Sequence, residues 1–147
     1  DPNKDVRLDV YSPAKGSGYP VLFFVHGGSW KDYDKKLFAP VAMKLLPEEM
    51  VVVIPDYTLH PDAGYEQMAD EVASALSWTL EHIEEYGGDP QRVVVAGHSA
   101  GDCGCRSRPG FSLPGFTFAR YVSDTWGGPH VCGLRVGHNS RPPPTSA

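Results

Sequence analysis

The chain has 147 residues, 41% hydrophobic and 21% charged, and 13 Lys and Arg against 18 Asp and Glu leave a formal net charge of −5. That length can bury the core of about one ordinary domain. The longest apolar runs, Val21–Val25 and Val51–Ile54, fall far short of the ~20 residues of a membrane-spanning helix. The acidic balance argues against nucleic acid as a partner, because phosphate affinity needs a basic surface.

The chain opens at Asp1 without a methionine or a signal-peptide pattern, so an upstream segment, with any targeting signal it carried, is expected to have been removed or not included. Asp5–Tyr11 alternates apolar and polar residues through Val6, Leu8 and Val10, which predicts a half-buried strand. After a turn-rich link over Ser12–Pro20, the continuous apolar run Val21–Val25 suits a strand buried on both faces. A helix is expected over Phe38–Leu46, with Pro40 tolerated only in its first turn. Met50–Pro55 is a second buried strand. Tyr65, Met68, Ala69, Val72, Ala73, Leu76, Leu80 and Ile83 then recur at helical steps, so Tyr65–Ile83 is the best helix in the chain. Gly87-Gly88 stops it, Asp89-Pro90 is expected to turn the chain, and Arg92–Ala96 is a further buried strand. Strands alternating with helices at this spacing predict an α/β fold with a mostly parallel, doubly wound sheet.

Composition breaks near residue 101. Residues 1–101 hold 8 Lys and Arg against 16 Asp and Glu, whereas residues 102–147 hold 5 Arg, 2 Asp and neither Lys nor Glu. Gly and Pro rise from 17 of 101 residues to 13 of 46, and all three cysteines lie in the second stretch. Residues 1–101 therefore read as a partial, incomplete α/β domain and 102–147 as an irregular or disordered tail. A helix directly after Gly101 is disfavoured, because Gly104 and Pro109 interrupt it at about 1 and 3 kcal/mol respectively. The expectation is a change of coding frame or exon just past Gly101. Reading the gene in its other two frames tests this: an apolar helix and later strands would support it, and stop codons throughout would overturn it.

Chemistry enters at Gly97-His98-Ser99-Ala100-Gly101, a G-x-S-x-G pattern placed directly after a predicted strand. A strand turning sharply into a helix lifts the central Ser99 out above the sheet, and small residues two positions either side permit the tight turn. His26-Gly27-Gly28-Ser29-Trp30 follows the strand Val21–Val25. It is either a Gly-Gly turn with a packed Trp or a loop whose amides turn toward a developing oxyanion. The two elements occur in the right order, each on a strand end.

On these residues the chain resembles the α/β-hydrolase superfamily, specifically esterases with an HGGxW loop. Within it the chain is similar to the kynurenine formamidase, isoprenylcysteine methylesterase and feruloyl-esterase-like group. Pro20–Trp30, Pro55–Pro61, Tyr65–Ile83 and Gly87–Gly101 carry the likeness, which covers about residues 6–101. The resemblance implies Ser99 as the nucleophile and the amides of Gly28, Ser29 and Ala100 as the oxyanion hole. It implies a small-molecule carboxylic ester or aryl-formamide as substrate and no cofactor. Asp56-Tyr57 matches a recurrent, usually structural pair, with Thr58 where many relatives carry Arg.

One departure is large. The family places an Asp or Glu and then a His on loops after later strands, yet only 46 residues follow Gly101. Asp102, Asp124, His130 and His138 are the downstream candidates, and no strand or helix pattern is evident around them. His98 is expected to pack locally, His26 to brace the HGG loop, and His60 and His82 to lie on loops or the surface. The alternative is thus a chain that is catalytically silent: a truncated remnant, or a binding module that retains a carbonyl pocket. A bare strand edge at Arg92–Ala96 would then invite self-association. Cys103-x-Cys105 with His130-x-Cys132 offers four zinc-type ligands, but the spacing departs from the usual C-x₂₋₄-C, and no metal site is expected.

Overall fold

The computed structural model describes residues 6–101, 116–122 and 131–138. Six strands, β1 (Leu8–Tyr11), β2 (Tyr19–Val25), β3 (Val51–Pro55), β4 (Gly88–His98), β5 (Phe116–Val122) and β6 (Val131–His138), form one sheet in the order β1-β3-β2-β4-β6-β5. Its centre is parallel: β2 pairs with β3 on one side and β4 on the other. β1, β6 and β5 run antiparallel to their neighbours. Helices α1 (Ala39–Leu45) and α2 (Tyr65–His82) connect the parallel strands, as crossovers between parallel neighbours require.

The apolar runs divide between two faces. Val21, Phe23 and Val25 of β2, Val51 and Val53 of β3 and Val93 and Val95 of β4 pack under α2 against Met68, Ala75 and Leu76. Phe24, Val52, Ile54 and Ala96 face the other way, against Ala42 of α1 and its neighbours Phe38, Val41 and Leu45. Residues one apart on a strand point to opposite faces, so a strand covered by helices on both sides is apolar throughout. Pro40 sits in the first turn of α1, where its missing N–H costs nothing. Gly87 ends the short 3₁₀ turn after α2 with φ 81°.

Three expectations are corrected. Asp89-Pro90 lies inside β4, which begins at Gly88; a shift in pairing between Tyr19 and Val21 of β2 absorbs the early start. Segments 116–122 and 131–138 of the supposedly irregular tail are strands. Their sequence reason is an alternation, Cys132, Leu134 and Val136 in one and Phe116 and Phe118 in the other, masked by the surrounding Gly and Pro. β4 is consequently no bare edge, because Val93–His98 pairs with Val131–Val136 of β6. The open edges among the described residues are β1 and β5. The disfavoured helix falls on residues beyond Gly101 that lie outside the described ones.

Candidate active site

β2 and β4 are parallel neighbours in register from Leu22 opposite Val94 to Val25 opposite Gly97. Their carboxyl ends therefore deliver the HGG loop and the Gly97–Gly101 turn side by side. Ser99 is exposed, has φ 54°, and is followed at Ala100 by the opening of a helical turn. A left-handed backbone at a non-glycine residue costs on the order of 1 kcal/mol and persists only where its surroundings enforce it. Here the close fit of the neighbours enforces it. A methyl built on Gly27 would lie 2.7 Å from the His98 carbonyl oxygen and 3.1 Å from the Ser99 Cβ. The HGG loop thus rests directly on the turn that carries Ser99.

The loop itself is wound left-handed over three consecutive residues: Gly28 at φ 134°, Ser29 at 52° and Trp30 at 61°. The Gly28 carbonyl accepts the N–H groups of Lys31 and Asp32, each at 3.0 Å. A side chain at Gly28 would overlap the Asp32 carbonyl oxygen, so this position requires glycine for both space and angle. Trp30 in turn gives its carbonyl to the His60 N–H at 2.7 Å, which ties the loop to the segment before α2.

His26 anchors the base of the loop, as expected. It is 1% exposed and stacks between Tyr57 (4.6 Å between ring centres) and Phe38 (5.5 Å). Its Nδ1 lies 2.9 Å from the Gly27 carbonyl oxygen. The Tyr57 hydroxyl donates to the His26 carbonyl at 2.9 Å, and burial pushes that phenol up to about 12. Asp56-Tyr57 is therefore structural, and Thr58 uses its N–H and hydroxyl on Glu71 at 2.6 and 2.9 Å. Tyr57→Phe should cost about 1–3 kcal/mol by leaving a buried carbonyl unpaired. The neutral phenol favoured by the fold stabilises fully below pH 10, and that contribution is lost as pH rises through about 12. Alkaline unfolding of Tyr57→Phe should show a smaller drop in that window; an identical profile would contradict this role.

A cluster that carries no sequence motif braces the same region. The Lys35 ammonium reaches Asp9 of β1 at 2.9 Å and Asp56 at 3.6 Å, while its backbone N–H donates to Asp56 Oδ1 at 2.8 Å. The hydrogen bond to Asp9 foremost, helped by the charges of Asp9 and Asp56, holds this lysine above its ordinary pKa against the opposing effect of burial. Asp56 also lies 3.8 Å from His26 Nε2. Asp9, Lys35 and Asp56 come from three separate segments.

None of the described histidines is placed as a general base for Ser99. The His98 Nδ1 is buried, without a hydrogen-bond partner among the described residues, and Gly27 packs against it. His60 is exposed on its loop, and His82 stacks on Trp78 at 4.8 Å. His138 pairs with Phe116 at the far end of β6, whereas Val131 of the same strand pairs with His98; seven residues of strand put the His138 backbone about 23 Å from the Gly97–Gly101 turn. Asp102, Asp124 and His130 lie outside the described residues, as do Cys103 and Cys105. No group of three metal-type ligands occurs among the described residues, and no helix there is long and apolar enough to cross a membrane.

A family model described as BD-FAE matches residues 8–103. The chain is 36% identical over 96 residues to a probable isoprenylcysteine alpha-carbonyl methylesterase, ICMEL1, of Arabidopsis thaliana, covering 65% of this chain and 20% of that protein. It is 37% identical over 99 residues to the carboxylesterase NlhH of Mycobacterium tuberculosis, covering 66% and 31%. Among solved structures, the native esterase 2 of Thermogutta terrifontis superposes with a TM-score of 0.66 at 27% identity, over 76% of this chain and 43% of that one. The chain thus spans between a fifth and a third of the length of these two curated relatives. With a parallel sheet delivering the HGG loop beside a G-x-S-x-G turn, and a family model that matches most of its length, the chain belongs to the BD-FAE family of α/β hydrolases.

Proposed function

We propose that the chain carries the nucleophile and oxyanion-binding part of a serine esterase site. Ser99 Oγ attacks the carbonyl carbon of a carboxylic ester, or of an aryl-formamide. The amides of Gly28, Ser29 and Ala100 receive the negative charge that develops on the carbonyl oxygen. Collapse of the tetrahedral species expels the alcohol of an ester, or the arylamine of a formamide, which takes up the proton lost by Ser99; Ser99 is left acylated, and water then releases the acid. The observation that carries this reading is the left-handed, exposed Ser99 at the end of β4, pressed against Gly27 of the HGG loop. The esterases it resembles support the bond type. Labelling by a fluorophosphonate, with Ser99→Ala as control, tests it.

A cleft of about 270 Å³, lined by Ser29, Trp30, Ala63, Tyr65 and Met68 among others, opens beside the same loop. Its proximity to the Ser29 amide supports its use for the apolar part of the substrate. Tyr65 is 40% exposed on this wall, and Tyr65→Ala should then raise KM for a long-chain ester by about tenfold while leaving a methyl ester nearly unaffected, since a few buried methylenes are worth ~1–3 kcal/mol. Equal losses on both esters would contradict it.

A second reading, a carbonyl-binding chain without turnover, is favoured by one observation: His138 lies at the wrong end of β6. The pH dependence of labelling separates the two. A rate that levels above about pH 7 marks an imidazole base, and one that climbs tenfold per pH unit marks a serine ionised by hydroxide alone.

A further inference from the structure

The two ring nitrogens of His26 stand in different circumstances. Nδ1 lies 2.9 Å from the Gly27 carbonyl oxygen, and because a carbonyl only accepts, Nδ1 carries the proton in this contact. Nε2 is buried and has no hydrogen-bond partner among the described residues. The Asp56 carboxylate stops 3.8 Å short of it, beyond hydrogen-bond length. Lys35 accounts for that gap. Its backbone N–H donates to Asp56 Oδ1 at 2.8 Å, and its ammonium lies 3.6 Å from Oδ2. The ammonium stays charged there, since its hydrogen bond to Asp9, 2.9 Å away, holds it above its ordinary pKa. Lys35 also opens a 3₁₀ turn over Lys35–Phe38. Phe38 and Tyr57 stack on the His26 ring at 5.5 and 4.6 Å between centres, so the ring is held in place while its proton is free to change nitrogen.

We propose that Lys35 is a positioning residue for the oxyanion loop: by neutralising and restraining the Asp56 carboxylate, it keeps the His26 proton on Nδ1, where that proton holds the Gly27 carbonyl. Its effect on rate rests on the reading of the Gly28 and Ser29 amides as oxyanion donors. Which nitrogen of a histidine is protonated is set by the partners of both, and here the two partners compete. With the ammonium removed, an unbalanced carboxylate stands beside a buried nitrogen that lacks a partner. The proton then leaves Nδ1, and Nε2 takes one up and directs it at Asp56, so the ring stays neutral. Two lone pairs now face each other between Nδ1 and the Gly27 carbonyl, and that carbonyl must turn away. Gly27 is packed so closely that a methyl on it would lie 2.7 Å from the His98 carbonyl oxygen and 3.1 Å from the Ser99 Cβ. The amides that follow it therefore turn relative to Ser99.

Long-range ¹H–¹⁵N correlation spectra of the full chain distinguish the two neutral tautomers and the imidazolium. They are recorded at about pH 9, well above the ordinary imidazole range, with the His26 signals identified by their NOEs to the Tyr57 and Phe38 rings. The wild type should show Nδ1 protonated and Nε2 bare. Lys35→Met should show the reverse, and Lys35→Arg the wild-type pattern. Lys35→Met with Asp56→Asn should return the proton to Nδ1, because no carboxylate then draws it away. Lys35→Gln, polar and uncharged, takes the place of Lys35→Met if that chain does not fold. A wild-type His26 with a bare Nδ1, or with both nitrogens protonated, would overturn the proposal. So would a proton that stays on Nδ1 when the Lys35 charge is removed. Fluorophosphonate labelling of Ser99 should fall about 10²-fold in Lys35→Met, the effect of losing one oxyanion donor, and recover in the double variant; an unchanged rate would overturn the positioning role. The tautomer spectra do not require Ser99 to react. A chain that shows the expected proton shifts but never labels therefore supports the control of His26 by Lys35 and counts against the esterase reading instead.

Discussion

Ser99→Ala is expected to reduce fluorophosphonate labelling of the chain to background and to lower its ester turnover sharply. The serine stands exposed at φ 54°, and in the proposed reaction its Oγ attacks a carbonyl or phosphonyl centre held by the neighbouring amides. A preorganised oxyanion hole alone retains 10³–10⁴-fold acceleration over water when a triad member is missing, so labelling remains measurable even with a weak base. Loss on removal of one hydroxyl then identifies the nucleophile. His138→Ala should leave the rate unchanged, because about 23 Å of strand separates its backbone from the Gly97–Gly101 turn. His130→Ala and Asp124→Asn supply the remaining comparison. Labelling that persists in Ser99→Ala, or none in a folded wild-type sample, would overturn the nucleophile assignment.

The parts of this molecule that could be read in the sequence are those where local pattern and tertiary role coincide. β2 and β3 are apolar at every position because helices cover both faces, and α2 shows its buried stripe at Met68, Ala75, Leu76 and Thr79. The two glycine-rich turns were legible for a related reason: their residues encode backbone angles and close approaches rather than contacts with distant partners. The Asp9–Lys35–Asp56 cluster had no such signal, since each residue alone is an ordinary charged side chain and only the sheet order brings β1 to β3 beside the loop. β5 and β6 were hidden differently. Gly133, Gly137, Arg120 and Arg135 dilute their two-residue period, and pairing with β4 supplies what intrinsic propensity does not.

Gly101→Ala carries the second large effect, and it separates scaffold from chemistry. A methyl at this position would overlap the Val25 carbonyl oxygen and lie 2.8 Å from that of His26. Both are backbone atoms at the end of a buried strand, so no side chain can swing aside to make room. The turn must move as a unit, at a cost of about 3 kcal/mol, or roughly a 10 °C fall in Tm for a chain of this size. Gly64→Ala is the matched control: nothing lies within 4 Å of its added methyl. There the entropic gain of replacing glycine roughly offsets the poorer cap at the start of α2, so Tm should stay nearly constant. Displacing the turn also draws the Ala100 amide and Ser99 away from Gly27. Below its lowered Tm, the still-folded Gly101→Ala chain should therefore label much more slowly than wild type, whereas Gly64→Ala should label normally. If Gly101→Ala melts and labels like wild type, the contact between the G-x-S-x-G turn and the end of β2 does not set the site.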